Sequence, residues 1–145
     1  MTIVLFLAKT GYNINEAVDI FAKACFTSGL QVQSCFTEGL QEFGADFSGY
    51  VKAEKTPIIS RDFPDKADFV VSIGRDKEAM KAAGEGIIIT TSKDAKKSKK
   101  LYPVESREPA FICGSLAKAT GLTSLKNLKK VSDIKGFEEG FKAIR

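Results

Sequence analysis

Ile3-Val4-Leu5-Phe6-Leu7 is an unbroken apolar run, the pattern of a strand buried on both faces of a sheet. From Ile14 the spacing turns helical, with Ile14, Ala17, Val18, Phe21, Ala24 and Cys25 on one face. Asn13 stands where a helix N-cap belongs. Gly29 sits at the helical stop, and Leu30 to Phe36 resumes an extended pattern. Strand, turn, helix and strand make a βαβ unit, and the first turn of such a unit is where α/β proteins place a ligand. Lys9, Thr10, Gly11, Tyr12 and Asn13 form that turn and are candidate ligand contacts.

The segment 38–48 has no clear period and reads as a loop or an irregular helix. Gly49 to Lys55 alternates, which predicts an exposed or edge strand leading to Pro57. After the polar turn from Ser60 to Asp68, Phe69-Val70-Val71-Ser72-Ile73 is a second buried strand, closed by Gly74. Asp76 is placed to cap a short helix through Ala83, with Gly84 as its stop. Ile87 to Thr90 is the next strand, which gives a second βαβ unit with a right-handed crossover.

Leu101 to Val104 is a last short strand, and Pro109 suits the first turn of a helix running through Ala119. Gly114, Ala117 and Ala119 make that helix narrow on one side, fit for close approach to its own sheet or to another subunit. Gly121 ends it, and Thr123 or Ser124 caps a helix with the stripe Leu125, Leu128 and Val131. A final short helix carries Phe137, Phe141 and Ile144, an aromatic stripe for core or interface. The pattern predicts one α/β domain over 1–145: three layers, a mainly parallel, Rossmann-like sheet of about five strands, and helices on both faces. Leu5, Leu7, Phe21, Val70, Ile73, Ile88 and Leu116 are its expected core.

Composition narrows the chemistry. The chain of 145 residues has no histidine, so Ser-His and Cys-His nucleophile pairs and imidazole bases are excluded. Cys25, Cys35 and Cys113 show no C-x-x-C spacing and read as reduced core thiols rather than a disulfide, metal or cluster set. The net charge of +4 permits an anionic ligand or partner without demanding one. Between Lys93 and Lys100 lie five lysines; they suit phosphates or an acidic partner, or a plain solvated loop, but no aromatic residue interleaves to stack on bases. The first apolar run is too short to span a membrane and lacks the flanks of a signal peptide. A cytoplasmic protein with no nucleic-acid or membrane partner is expected.

Several segments together resemble one family, the gamma subunit or gamma-type domain of the 2-oxoacid:ferredoxin oxidoreductases. They are Ala17 to Cys25, Gly29-Leu30-Gln31-Val32, Lys66 to Val71, Gly114 to Leu125, and Gly136 to Phe141. The resemblance covers nearly the whole chain. It implies a non-catalytic subunit that docks with alpha, beta and delta partners, or forms a homo-oligomer, in a complex converting a 2-oxoacid and coenzyme A to an acyl-CoA. Thiamine diphosphate and iron–sulfur clusters then belong to the other subunits, and this chain alone holds no cofactor; it is a scaffold near the coenzyme A site. An alternative is a stand-alone binding or regulatory module that uses the inherited crevice for another anionic small molecule.

Both ligand motifs of the family are altered. The usual G-x-G-G-Q-G turn falls on Ala8-Lys9-Thr10-Gly11-Tyr12-Asn13, where one glycine of four survives and a bulky Tyr12 replaces the glutamine. The E-x-R-G-G segment falls on Gln41-Glu42-Phe43-Gly44-Ala45, without the arginine that would clamp an anion. Gly39, Gln41 and Gly44 are the candidate contacts there. The implied protein is a gamma-type subunit or a paralogue of one with degenerate ligand turns.

Overall fold

The computed structural model describes residues 1–9, 11–12, 14–36, 46–60, 62–93, 95 and 100–144. In chain order the elements are β1 (Thr2–Ala8), α1 (Asn15–Thr27), β2 (Gln31–Phe36), β3 (Phe47–Glu54), β4 (Phe69–Ile73) and α2 (Asp76–Ala83). There follow β5 (Ile87–Thr90), β6 (Leu101–Pro103), α3 (Pro109–Thr120), α4 (Leu125–Val131) and α5 (Phe137–Ala143). One six-stranded sheet has the order β2-β3-β1-β4-β5-β6. The ladders β1–β4, β4–β5 and β5–β6 are parallel, while β3 is antiparallel to both β1 and β2.

The uniform apolar runs of β1, β4 and β5 behave as their composition requires. Alternate residues of β1 feed two cores, Val4, Phe6 and Ala8 on one face and Leu5 and Leu7 on the other. The first core packs against α1, α3, α4 and α5, through Phe21, Leu116, Leu128 and Phe137 among others. The second packs against Ala79, Ala82 and Ala83 of α2. All seven expected core residues are buried.

β3 is not an edge strand. It is inserted between β1 and β2, so the first βαβ unit is split, its two parallel strands separated by an antiparallel third. The alternation of Gly49 to Lys55 suggested a solvent face because Tyr50 and Lys52 are polar-tipped, yet both are buried. The segment around Asp62 and Phe63 lies against them. Phe63 meets the Tyr50 ring edge-on at 5.0 Å, and Lys52 Nζ donates to the Asp62 carbonyl at 2.6 Å. A lysine stem buries its methylenes and satisfies its head locally, which a sequence period does not reveal.

Three further expectations need correction. Asp76 does not cap α2: the N-cap is Arg75, without a side-chain cap, and Asp76 is the first helical residue. Cys35 is exposed, unlike buried Cys25 and Cys113, because it lies on the outermost strand. On the small-residue side of α3, Gly114 packs against α5 of the same chain. A Cβ added to Gly114 would lie 2.1 Å from the Phe137 carbonyl oxygen, and Ser115 Oγ donates to the Gly140 carbonyl at 3.0 Å. The caps at Ser124, whose hydroxyl accepts from Asn127 N at 3.2 Å, and at Gly121, with φ +67°, are as expected.

Candidate functional site at the strand ends

β1 is followed by a helix on one face of the sheet and β4, its parallel neighbour, by a helix on the other. The two connections diverge and leave a crevice at the carboxyl ends of β1 and β4, the place where open α/β sheets bind ligands. A cleft of about 580 Å³ opens there. Lys9 and Tyr12 line it from the first turn, Ile73, Gly74 and Asp76 from the end of β4, Thr91, Ser92 and Lys93 from beyond β5, and Glu105 and Arg107 from beyond β6. A smaller hollow of about 210 Å³ continues it past Gly11, Tyr12, Arg107 and Pro109.

The first turn is tied to β4 by a hydrogen bond from Lys9 N to the Ile73 carbonyl at 2.9 Å. Gly74 has φ +76° and lets the Lys9 stem pass; a Cβ there would lie 2.5 Å from Lys9 Cδ. Lys9 Nζ then stands 5.3 Å from the Tyr12 ring centre and Arg107 Cζ 4.3 Å from it. Both are within cation–π range. The half-buried Tyr12 ring thus gathers two cations at the cleft, which Lys93 also lines.

The floor is a polar cluster around the half-buried Asp76. Asp76 Oδ1 accepts from Ser72 Oγ at 2.7 Å and from Thr90 Oγ1 at 2.6 Å. Both hydroxyls are fully buried, so they hold the carboxylate in place and offer no nucleophile to a ligand. Beside it Arg75 Nη1 donates to the Phe47 carbonyl at 2.7 Å and Ser48 Oγ at 3.0 Å, and Nε lies 3.7 Å from Asp46 Oδ2. Arg75 therefore ties the end of β4 to the start of β3. The rim can grip an anionic group; the floor is structural.

The thiols belong to the interior. Burial pushes the Cys25 thiol up to about 12 and the Cys113 thiol higher still, and Cys113 Sγ donates to the Ala17 carbonyl at 3.3 Å. Neither is a thiolate at neutral pH, the form that attacks or binds metal. Among the described residues no three His, Cys, Asp or Glu side chains gather as a metal site, and no helix is long and apolar enough to cross a membrane.

Of the candidate contacts, Lys9, Gly11 and Tyr12 come together at the cleft. Thr10, Asn13, Gly39, Gln41 and Gly44 lie outside the described residues. Sequence reasoning missed Gly74, Asp76, Lys93 and Arg107 as lining residues. Each follows the carboxyl end of a parallel strand, and the strand-end rule applied to β4, β5 and β6 as well as β1 would have found them. A further hollow of about 330 Å³ between α4 and α5 is lined by Lys129 and Glu138, which pair with each other. It lies away from the strand ends.

No protein-family model and no curated protein matches the chain. Solved structures do. A pyruvate oxidoreductase subunit from Thermotoga maritima superposes with a TM-score of 0.72 at 16% identity, over 99% of this chain and 93% of that one. The gamma subunit of a keto/oxoacid ferredoxin oxidoreductase from Geobacter sulfurreducens gives 0.73 at 14% identity, over 99% and 98%. A 2-oxoglutarate:ferredoxin oxidoreductase from Magnetococcus marinus, solved with 2-oxoglutarate, coenzyme A and succinyl-CoA bound, gives 0.71 at 17% identity; the match takes in 98% of this chain but 29% of that one. The chain has, over its whole described length, the α/β fold of the gamma subunits of 2-oxoacid:ferredoxin oxidoreductases.

Proposed function

We propose that the chain is a non-catalytic gamma-type subunit, or a paralogue of one, in a cytoplasmic 2-oxoacid:ferredoxin oxidoreductase, and that it forms one wall of the coenzyme A site. The observation that carries this reading is the cleft at the divergence of β1 and β4, rimmed by Lys9, Lys93 and Arg107. Three cations around a crevice suit a ligand bearing several phosphates, and the Tyr12 ring offers an apolar surface beside them. Near end-to-end likeness to two separate subunit chains supports a subunit role over an independent enzyme. Coenzyme A would be held at its phosphates by Lys9, Lys93 and Arg107. When bound in the complex it supplies the thiol that accepts the acyl group, while the chemistry of decarboxylation and electron transfer, on thiamine diphosphate and iron–sulfur clusters, falls to alpha, beta and delta partners.

Affinity purification of the tagged chain from its native extract at moderate salt tests the reading. Co-recovery of oxidoreductase subunits is expected, and recovery of the chain alone overturns it. The second reading, a stand-alone module for another anionic small molecule, is favoured by the clasp of Lys9 and Arg107 on Tyr12, which fills the turn with side chains where the gamma pattern has glycine. Thermal-shift measurement against coenzyme A and nucleotides separates the two: a lone chain stabilised by a nucleotide and not by coenzyme A supports the second.

A further inference from the structure

The two edges of the sheet are unlike. β6 is three residues long and ends in Pro103, which removes a backbone donor, and Lys100 precedes it; short length, proline and nearby charge are how edges are kept from pairing. β2 has none of these. Its six residues, Gln31-Val32-Gln33-Ser34-Cys35-Phe36, carry no charge and no proline, and all six are in register with β3 on one side only. Among the described residues, none donates a backbone hydrogen bond to its outer side or accepts one from it. Beside this edge runs a groove of about 450 Å³, lined by Ala22, Phe26, Val32, Ser34 and Val131 and by the Asp19–Lys23 ion pair and Thr27. The Phe26 ring on α1 is 66% exposed.

We propose that a second copy of this chain occupies the β2 edge, antiparallel, with the two-fold axis at Ser34. The register follows from the faces. A two-fold axis perpendicular to a continuous sheet keeps each residue on its own face, so like-faced residues must stand opposite one another. Val32, Ser34 and Phe36 share the helix-covered face, while Gln33, which accepts from Tyr50 Oη at 3.2 Å, and Cys35 share the other. With Ser34 opposite its own copy, Val32 meets Phe36 of the second copy, and Gln33 meets Cys35. Apolar then stands on apolar and polar on polar, with no like charges opposed. Centring on Gln33 instead sets Val32 against Ser34 and loses that match. The pairing joins two six-stranded sheets into one of twelve and brings both exposed Phe26 rings to the seam. It does not depend on the function proposed above.

The register makes a specific chemical prediction. Residues directly opposite in an antiparallel pair have Cα atoms about 4.5–5.5 Å apart, within the span of a disulfide. Only the axial residue faces its own copy, whereas the two Cys35 residues are each offset by one residue along the strand and lie too far apart to bridge. In a Cys35→Ser background, Ser34→Cys is therefore expected to cross-link into a covalent dimer on mild oxidation, while the wild type does not. Sedimentation of the wild type at about 100 μM should show dimers, and Ser34→Lys, at an exposed site, should weaken association at least tenfold while keeping the wild-type circular dichroism. If Ser34→Lys perturbs folding, the cross-link decides. A wild type that stays monomeric at that concentration, a dimer indifferent to Ser34→Lys, or a Ser34→Cys variant that resists cross-linking overturns the proposal.

Discussion

Gly114 of α3 and Gly140 of α5 are the two halves of one notch. A Cβ on Gly114 would lie 2.1 Å from the Phe137 carbonyl oxygen, and one on Gly140 would lie 2.0 Å from that of Phe111. The obstacles are backbone atoms, which do not rotate away. Alanine at either position gains about 1 kcal/mol of intrinsic helix preference but forces the helices apart, and overpacking costs about 1–3 kcal/mol or more. The helices carry Phe111, Ile112 and Phe137 into the core, so the loss should win. Urea denaturation is expected to show Gly114→Ala and Gly140→Ala destabilised, by about 2 kcal/mol each; neutral or stabilised variants would mean the helices part easily.

The Asp76 carboxylate holds two hydroxyls that have no access to water. Asp76→Ala leaves Ser72 and Thr90 without this acceptor, and a buried polar group so stranded costs about 1–3 kcal/mol. Asp76→Asn keeps an oxygen at the same place and should lose less. The test is the order of the two denaturation midpoints, Asn above Ala. Equal midpoints would show that the hydroxyls find other acceptors.

Coenzyme A should bind the isolated chain weakly, with a Kd on the order of millimolar, equivalent to about 4 kcal/mol. The helix start at α1 contributes about 0.3–1 kcal/mol for an anion, and the exposed rim cations are screened by salt. Gly11 has φ +93°, a conformation that strains a β-branched side chain. Calorimetry returning micromolar binding that Gly11→Val abolishes would contradict this and make the turn a strong site in its own right.

Alkaline solution should loosen the core through its thiols. The folded value of Cys25 is raised by burial from 9.0 to about 12, and Cys113 is raised further. Above the unfolded value the unfolded chain sheds protons that the folded chain keeps, so stability falls with rising pH. The contribution is intact below about pH 9 and is lost as pH climbs toward 12, with a slope of about 1.4 kcal/mol per pH unit for each thiol. Cys25→Ala with Cys113→Ala should flatten that part of the profile; an unchanged profile would assign the loss to lysine and tyrosine. In native protein a thiol reagent should find Cys35 alone at speed.

What could be read before folding, and what could not, divides along physical lines. β1, β4 and β5 are buried on both faces, so their apolar runs have no competing explanation. Tyr50 and Lys52 of β3 are amphipathic and covered by a loop, and period alone assigns such residues to solvent. Lys9 and Tyr12 were legible because they follow the first strand directly. Arg107 follows β6, only three residues long, and reaches Tyr12 across 95 positions of sequence; no local pattern encodes that pairing. Asp76 was correctly located at a helix start, but its partners Ser72 and Thr90 lie on two different strands, so its task was invisible until the sheet assembled.

The inserted β3 makes the sheet mechanically unequal. Every ladder hydrogen bond of β2 runs through β3, whereas β4 pairs with β1 directly, and β5 and β6 follow it through ladders that do not involve β3. Any fluctuation that detaches residues 47–54 must release β2 with them, while the parallel half keeps its protection. The outer two strands thus form a cooperative unit of their own, and their amides should exchange with deuterium at one shared, faster rate. In the isolated chain the flank beside α1 would be the part that breathes.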